Sequence, residues 1–198
     1  QTIMNPASIT KILTLLVAAE HITDWDQTFT MHIGITDYCF VNDCSVVGYE
    51  LDEVIPVREL LYGCILSSGA DACLALAEMI AGSHEGFVEL MNDKAHRLGL
   101  ENTHFVNPNG LDAPGHYSTA RDMAVLAAYA MENPIFAKTV STKTVKVGDR
   151  ILRNHNKLLW RVDGADGVKT GFTKKAGRCL VSAAQRDGIT LICVSLSA

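Results

Sequence analysis

The chain has 198 residues, 48% of them hydrophobic and 20% charged, enough to bury a core as one domain or as two interleaved lobes without disulfide or metal staples. Its formal net charge of -5 and the lack of any basic run exclude a nucleic-acid partner, because a phosphate backbone demands clustered Lys and Arg. No apolar run approaches the roughly 20 residues needed to span a bilayer.

In chain order, Pro6 suits entry into a first helical turn and puts Ser8 at the start of a helix predicted over Ser8 to Glu20. Its apolar residues Ile9, Ile12, Leu13, Leu15, Leu16, Val17 and Ala18 cover nearly the whole circumference, so the helix is expected to be buried on all sides. Residues 21 to 56, with Gly34, Gly48 and several Asp and Asn, read as loops with short irregular pieces. Helices are predicted over Val57 to Leu66, Asp71 to Ala81 and His84 to Leu98, the last two separated by Gly82 and Ser83.

The stretch from Asn102 to Tyr117 contains Pro108, Gly110, Pro114 and Gly115 and is expected to be irregular. Ser118 or Thr119 caps a helix running to about Glu132, which Pro134 ends. Beyond it the period changes, and Lys143-Thr-Val-Lys-Val147 alternates as a half-buried strand does. Arg178 to Gln185 and Ile189 to Leu196 are further strands joined by the hairpin signal Arg186-Asp187-Gly188. The expected class is α+β, an antiparallel sheet with a largely helical insertion ahead of it. The chain opens on Gln1 and closes on a strand-like run, so it is expected to be a piece of a larger domain.

Six cysteines, at 39, 44, 64, 73, 179 and 193, show no C-x-x-C spacing and no zinc grouping with the seven histidines. They read as small buried apolar side chains, and only Cys39 and Cys44 sit in a loop-like stretch where they could pair. The histidines, Trp25 and Trp160 read as packing or surface groups.

Three short patches carry chemistry. On a helix, residues three apart share a face, so Ser8 and Lys11 of Ser8-Ile-Thr-Lys11 bring a hydroxyl and an amine together as nucleophile and candidate base. A lysine accepts that proton only if burial or a nearby cation lowers its pKa; the apolar helix supplies the burial and Lys169 the cation. Ser68, in Ser68-Gly-Ala70, sits at a break between two helices, either as a plain cap or as a proton relay. Lys169-Thr170-Gly171 precedes the hairpin and is placed at the start of an edge strand, where a peptide can align. There Lys169 would bind a carboxylate or tune Lys11, Thr170 would hydrogen-bond it, and Gly171 would let the substrate backbone approach. The pattern S-x-x-K arises by chance about once in a chain of this size. Its weight comes from its place at the head of a buried helix and from the ordered partners, S-x-x-K with K-T-G being a known acyl-transfer set.

Asn5-Pro-Ala-Ser-Ile-Thr-Lys-Ile-Leu-Thr14, Glu59-Leu-Leu-Tyr-Gly63, Asp71-Ala-Cys-Leu-Ala-Leu-Ala-Glu78, Thr103-His-Phe-Val-Asn-Pro-Asn-Gly-Leu111, His116-Tyr-Ser-Thr-Ala-Arg-Asp122 and Asp166-Gly-Val-Lys-Thr-Gly-Phe-Thr173 closely resemble the bacterial D-alanyl-D-alanine carboxypeptidases, the low-molecular-mass penicillin-binding proteins. The resemblance runs in order over almost the whole chain. It implies the β-lactamase and penicillin-binding-protein fold, with residues 1–20 and 141–198 in an α/β lobe whose sheet is incomplete and residues 21–140 in a mostly helical lobe.

The resemblance also implies a serine-type carboxypeptidase that removes the terminal D-alanine from peptidoglycan stem peptides ending in D-Ala-D-Ala and is acylated by β-lactams, with no cofactor and no metal. Ser8 is then the nucleophile, Lys11 the base and Ser68 the relay. Lys169 and Thr170 anchor the substrate carboxylate, beside Gly171, and the backbone N–H groups of Ser8 and Phe172 form an oxyanion hole. An extracytoplasmic place in the cell envelope follows, with membrane contact only through parts outside this chain.

One letter departs from the family pattern. Ala70 stands where the S-x-N motif has Asn, and Asn154 or Asn156 is the candidate replacement amide. A β-lactamase, a DD-endopeptidase, or a weakly catalytic protein that binds peptidoglycan or β-lactams is the alternative reading.

Overall fold

In the computed structural model, which describes residues 2–198, a single 3-10 turn over Ala7–Thr10 leads into helix α1, Lys11–His21. The expected helix thus begins three residues late, because Ala7 adopts a left-handed φ of 49° and the Ile9 N–H bonds back to the Pro6 carbonyl, a tighter closure than an α-helix makes. Every residue from Lys11 to Ala19 is buried, as the all-round apolar pattern requires. Helices and sheet pack around α1, which makes it the axis of the molecule.

Residues 21–56 hold more structure than their composition announces. Strand β1, Thr28–Thr30, pairs antiparallel with β2, Val54–Pro56, and helix α2, Ile33–Val41, lies between them. Only Ile35 and Cys39 of α2 are buried, a stripe too narrow to stand out as a helical period. Helices α3 (Val57–Leu66), α4 (Ala70–Ala81) and α5 (His84–Arg97) follow as expected. Gly82, at φ 75°, ends α4, and the Ser83 hydroxyl caps α5 by accepting the Gly86 N–H at 3.0 Å.

Thr119, not Ser118, caps α6 (Ala120–Met131), its hydroxyl accepting the Asp122 N–H at 3.2 Å. Pro134 does not end that helix; it opens another, α7 (Pro134–Ser141), from the first position, where its missing N–H costs nothing. Asn133 caps α7 by accepting the N–H groups of Ile135 and Phe136 at 3.0 and 3.1 Å.

Strand β3 (Thr144–Val147) pairs antiparallel with β4 (Arg150–Arg153), and the short helix α8 (Leu158–Arg161) leads to the main sheet. That sheet is antiparallel in the order β5-β6-β7, with β5 Ala165–Thr173, β6 Gly177–Arg186 and β7 Ile189–Ser195. Asp187 and Gly188, at φ 51° and 77°, make the two-residue turn whose twist matches a hairpin. Lys169 therefore sits in the middle of β5, not at its start. Helices α6 and α7 pack on the sheet, and the 3-10 turn carrying Ser8 packs on β5 and β6. All six cysteines are free thiols, Cys39 and Cys44 included.

Candidate active site

Lys11 Nζ donates to Ser8 Oγ at 3.1 Å, so the three-residue spacing works although it spans the junction of a 3-10 turn and an α-helix. Lys11 is 2% exposed, and its second bond goes to the main-chain carbonyl of Asn109. The loop from Val106 to Asp112 is shaped to deliver that carbonyl. Asn107 Oδ1 accepts the Gly110 N–H at 2.7 Å, Asn109 Oδ1 accepts the Leu111 N–H at 3.2 Å, and Thr14 donates to the Pro108 carbonyl at 2.6 Å. Gly110, at φ 84°, passes directly beneath the serine turn.

His116 buttresses the same turn from the side. Its Nδ1 accepts the Val106 N–H at 3.1 Å, which leaves Nε2 as the protonated nitrogen and the donor to Thr10 Oγ1 at 2.9 Å. Burial pushes this imidazole down to about 4, with His104 adding to the effect, so the ring is neutral at pH 7.

Gly171 packs on the other side of the turn. A Cβ there would stand 3.1 Å from the backbone nitrogens of Ser8 and Ile9, so the missing side chain lets the strand close on the serine turn. Lys169, two residues earlier on the same face of β5, is buried and donates to the Thr170 carbonyl at 2.9 Å. Burial first, and the neighbouring Lys11 charge second, push Lys169 down to about 7. It is thus a lysine poised to gain or lose a proton near neutrality.

A cavity of about 600 Å³ opens over this floor. Ser8, Ser68, Thr170, Gly171 and Phe172 all line it, together with Ser45, His155 and Asn156. Four of the predicted residues, Ser68 and the run Thr170 to Phe172, are thereby gathered with Ser8, while Lys11 and Lys169 lie buried behind the lining. Ser8 and Lys11 are directly bonded; neither Ser68 nor Lys169 is hydrogen-bonded to them among the described residues. Ser68 is held at φ 56°, a left-handed conformation uncommon outside Gly, Asn and Asp.

Ala70 opens α4 beside Ser68 and is 3% exposed, with its N–H bonded to the Ser45 carbonyl at 2.7 Å. Both candidate replacement amides make hydrogen bonds away from Ala70. The Asn154 side chain bonds Val140, Thr142 and Asn156, and the Asn156 side chain bonds Gly167 and Leu158.

Ser45, Asn109 and Gly110 escaped the sequence reading. Ser45 reaches the cavity because the Asp71 carboxylate gathers the N–H groups of Val47 and Gly48, each at 2.9 Å at the closest. Arg150 holds the same segment from the far side through Glu53, Glu59 at 3.3 Å and the Gly48 carbonyl at 3.2 Å. The run of Asn, Pro and Gly from Asn107 to Gly110 was the only local signal for the Asn109 carbonyl.

The family model for D-alanyl-D-alanine carboxypeptidases of the Peptidase S11 class matches residues 1–198. The chain is 37% identical to the D-alanyl-D-alanine carboxypeptidase DacF of Bacillus subtilis, over 98% of its own length and 51% of that protein's. It is likewise 37% identical to DacC of Escherichia coli, over 98% and 51%. The chain thus spans about half the length of these relatives. Among solved structures, the Streptomyces K15 DD-transpeptidase superposes with a TM-score of 0.93 at 36% identity, covering 100% of this chain and 82% of that one. Penicillin binding protein 5 from Haemophilus influenzae gives 0.92 at 34%, covering 99% and 59%. The fold is therefore that of the penicillin-binding DD-peptidases, and the chain belongs to the D-alanyl-D-alanine carboxypeptidase family, Peptidase S11.

Proposed function

We propose that this chain carries the reaction centre of a serine carboxypeptidase acting on peptidoglycan stem peptides that end in D-Ala-D-Ala. The observation that supports it most is the Ser8 hydroxyl, 3.1 Å from Lys11 Nζ and on the wall of a cavity shared with Ser68 and the Thr170 to Phe172 run. In this reading Ser8 Oγ attacks the carbonyl of the penultimate D-alanine as its proton passes to Lys11 Nζ. Ser68 passes a proton to the departing D-alanine amine, and water then frees the shortened peptide from Ser8. Lys169 and Thr170 hold the terminal carboxylate, and the N–H groups of Ser8 and Phe172 receive the developing oxyanion.

A β-lactam enters by the same attack and stays as an acyl-serine. The substrate places the protein outside the cytoplasm, in the cell envelope. Among the described residues no helix is long and apolar enough to cross a membrane.

The test is release of D-alanine from diacetyl-Lys-D-Ala-D-Ala, with labelled penicillin as the acylation probe. Turnover and a covalent adduct that both vanish in Ser8→Ala are expected; an adduct that persists in Ser8→Ala would sink the assignment of the nucleophile. A second reading, a protein that binds these ligands but turns them over poorly, is favoured by the buried Ala70. It predicts a penicillin adduct with no release of D-alanine.

A further inference from the structure

Behind the Ser68 turn, and outside the chemistry described above, two cysteines meet in the core. Cys64 is on the last full turn of α3 and Cys73 on the first turns of α4, and both are completely buried. The Cys73 thiol donates to Cys64 Sγ at 3.2 Å, close enough that a modest side-chain rotation would bring the sulfurs to bonding distance, about 2.05 Å. The backbones are also close at this level, for a Cβ on Gly63 would stand 3.3 Å from the Cβ of Ala72. The segment between the two thiols, residues 65–72, contains the Ser67 to Gly69 turn and the left-handed Ser68.

We infer that Cys64 and Cys73 are a disulfide-forming pair that ties α3 to α4 behind the catalytic turn. The inference borrows one thing from the proposed function, namely an oxidising location outside the cytoplasm. The bond forms by exchange with a small-molecule disulfide or the disulfide of a thiol oxidase. One cysteine thiolate attacks the donor disulfide, the second thiolate displaces the mixed disulfide, and the donor leaves as two thiols, having taken two electrons. Because both sulfurs are buried in the folded protein, the exchange takes place while the chain folds, before the core closes over the pair. The bridge then constrains the turn that holds Ser68 at φ 56°. The Cys39 and Cys44 thiols also meet, but they sit on and after α2 and Cys44 is only partly buried, so a bridge there would not tie α3 to α4.

The experiment is to refold the reduced chain in a glutathione exchange buffer, alkylate under denaturing conditions, and weigh the product. No more than four alkylated cysteines are expected, with cleavage before aspartate leaving the piece that ends at Ala70 joined to the piece that begins at Asp71 until reductant is added. The bridged protein should also unfold at higher urea than the reduced one. Cys64→Ser and Cys73→Ser, each alone, should lose both the linkage and that shift, and Cys39→Ser should keep them. Six alkylated cysteines, or a linkage between the pieces carrying Cys39 and Cys44 in its place, would overturn the inference. This readout needs no turnover, so it stands or falls separately from the proposed activity.

Discussion

Gly110 lies against Ala7 so closely that a Cβ added to it would stand 2.2 Å from the Ala7 carbonyl oxygen. The loop that supplies Lys11 with the Asn109 carbonyl and the turn that presents Ser8 are thus fitted together backbone to backbone.

The first prediction follows directly. Gly110→Ala must relieve both the clash and a φ of 84°, and it is expected to cost about 2 to 4 kcal/mol of stability. It should also slow penicillin acylation by at least ~10-fold, because the turn carrying Ser8 moves. Gly82→Ala, at a φ of 75° but with open space around it, should cost only about 1 kcal/mol and leave acylation alone. Equal acylation losses in the two variants would contradict the account.

The second prediction concerns pH. Lys169 is pushed down to about 7 in the folded chain against the usual 10.5, and His116 to about 4 against 6.5. In both cases the unfolded chain holds the extra proton in the interval, so stability rises with pH there. The Lys169 contribution is complete above 10.5 and is lost as pH falls towards 7; that of His116 is complete above 6.5 and is lost on the way to 4. Each unit corresponds to about 1.4 kcal/mol. Lys169→Gln is expected to be more stable than the parent at pH 6 by a few kcal/mol, with the gap closing by pH 10. Urea midpoints at pH 6, 8 and 10 measure it, and a gap that does not change with pH refutes it.

Third, Ala70→Asn restores an amide beside Ser68. A hydrogen bond to a buried partner is worth about 1 to 3 kcal/mol when its absence leaves that partner unpaired. Release of D-alanine should therefore rise by roughly 5- to 100-fold in kcat/KM. No gain, in a variant whose urea midpoint matches the parent, would mean that the site is completed in some other way.

Fourth, Arg150 ties the strand it opens to Glu53, Glu59 and the Gly48 carbonyl, and its ring contact with Tyr49, 4.8 Å to the centroid, adds to the latch. Removing it in Arg150→Met strands Glu59, which burial already pushes up from the ordinary carboxylate range. A loss of about 1 to 3 kcal/mol is expected at pH 7. Adding Glu59→Gln to Arg150→Met should recover part of it, by removing the unpaired carboxylate. KM should rise more than kcat falls, because the latched segment carries Ser45 into the cavity. Thermal unfolding and steady-state kinetics on the single and double variants decide the matter.

How far the letters announce all this depends on how local each cause is. The burial of α1 was legible, since one helix with apolar residues on every side has only the core to enter. Pro134 misled, because proline both stops helices and starts them; the Asn immediately before it was the deciding letter. The Ser8 and Lys11 pairing was legible as a helical spacing. The Asn109 partner was not, because the acceptor is a main-chain carbonyl, which any residue would provide. Ser45 was hidden for a related reason: its position is set by N–H bonds to a carboxylate more than twenty residues on.

The close fit of Gly171 on the backbone of Ser8 and Ile9 bears on how the protein is made. Ser8 is translated well before Gly171, the β5 residue that walls its turn. In the interval between them the serine turn lacks the strand that closes on it. Penicillin acylation of nascent chains is therefore expected only once β5 has been released and has docked on that turn.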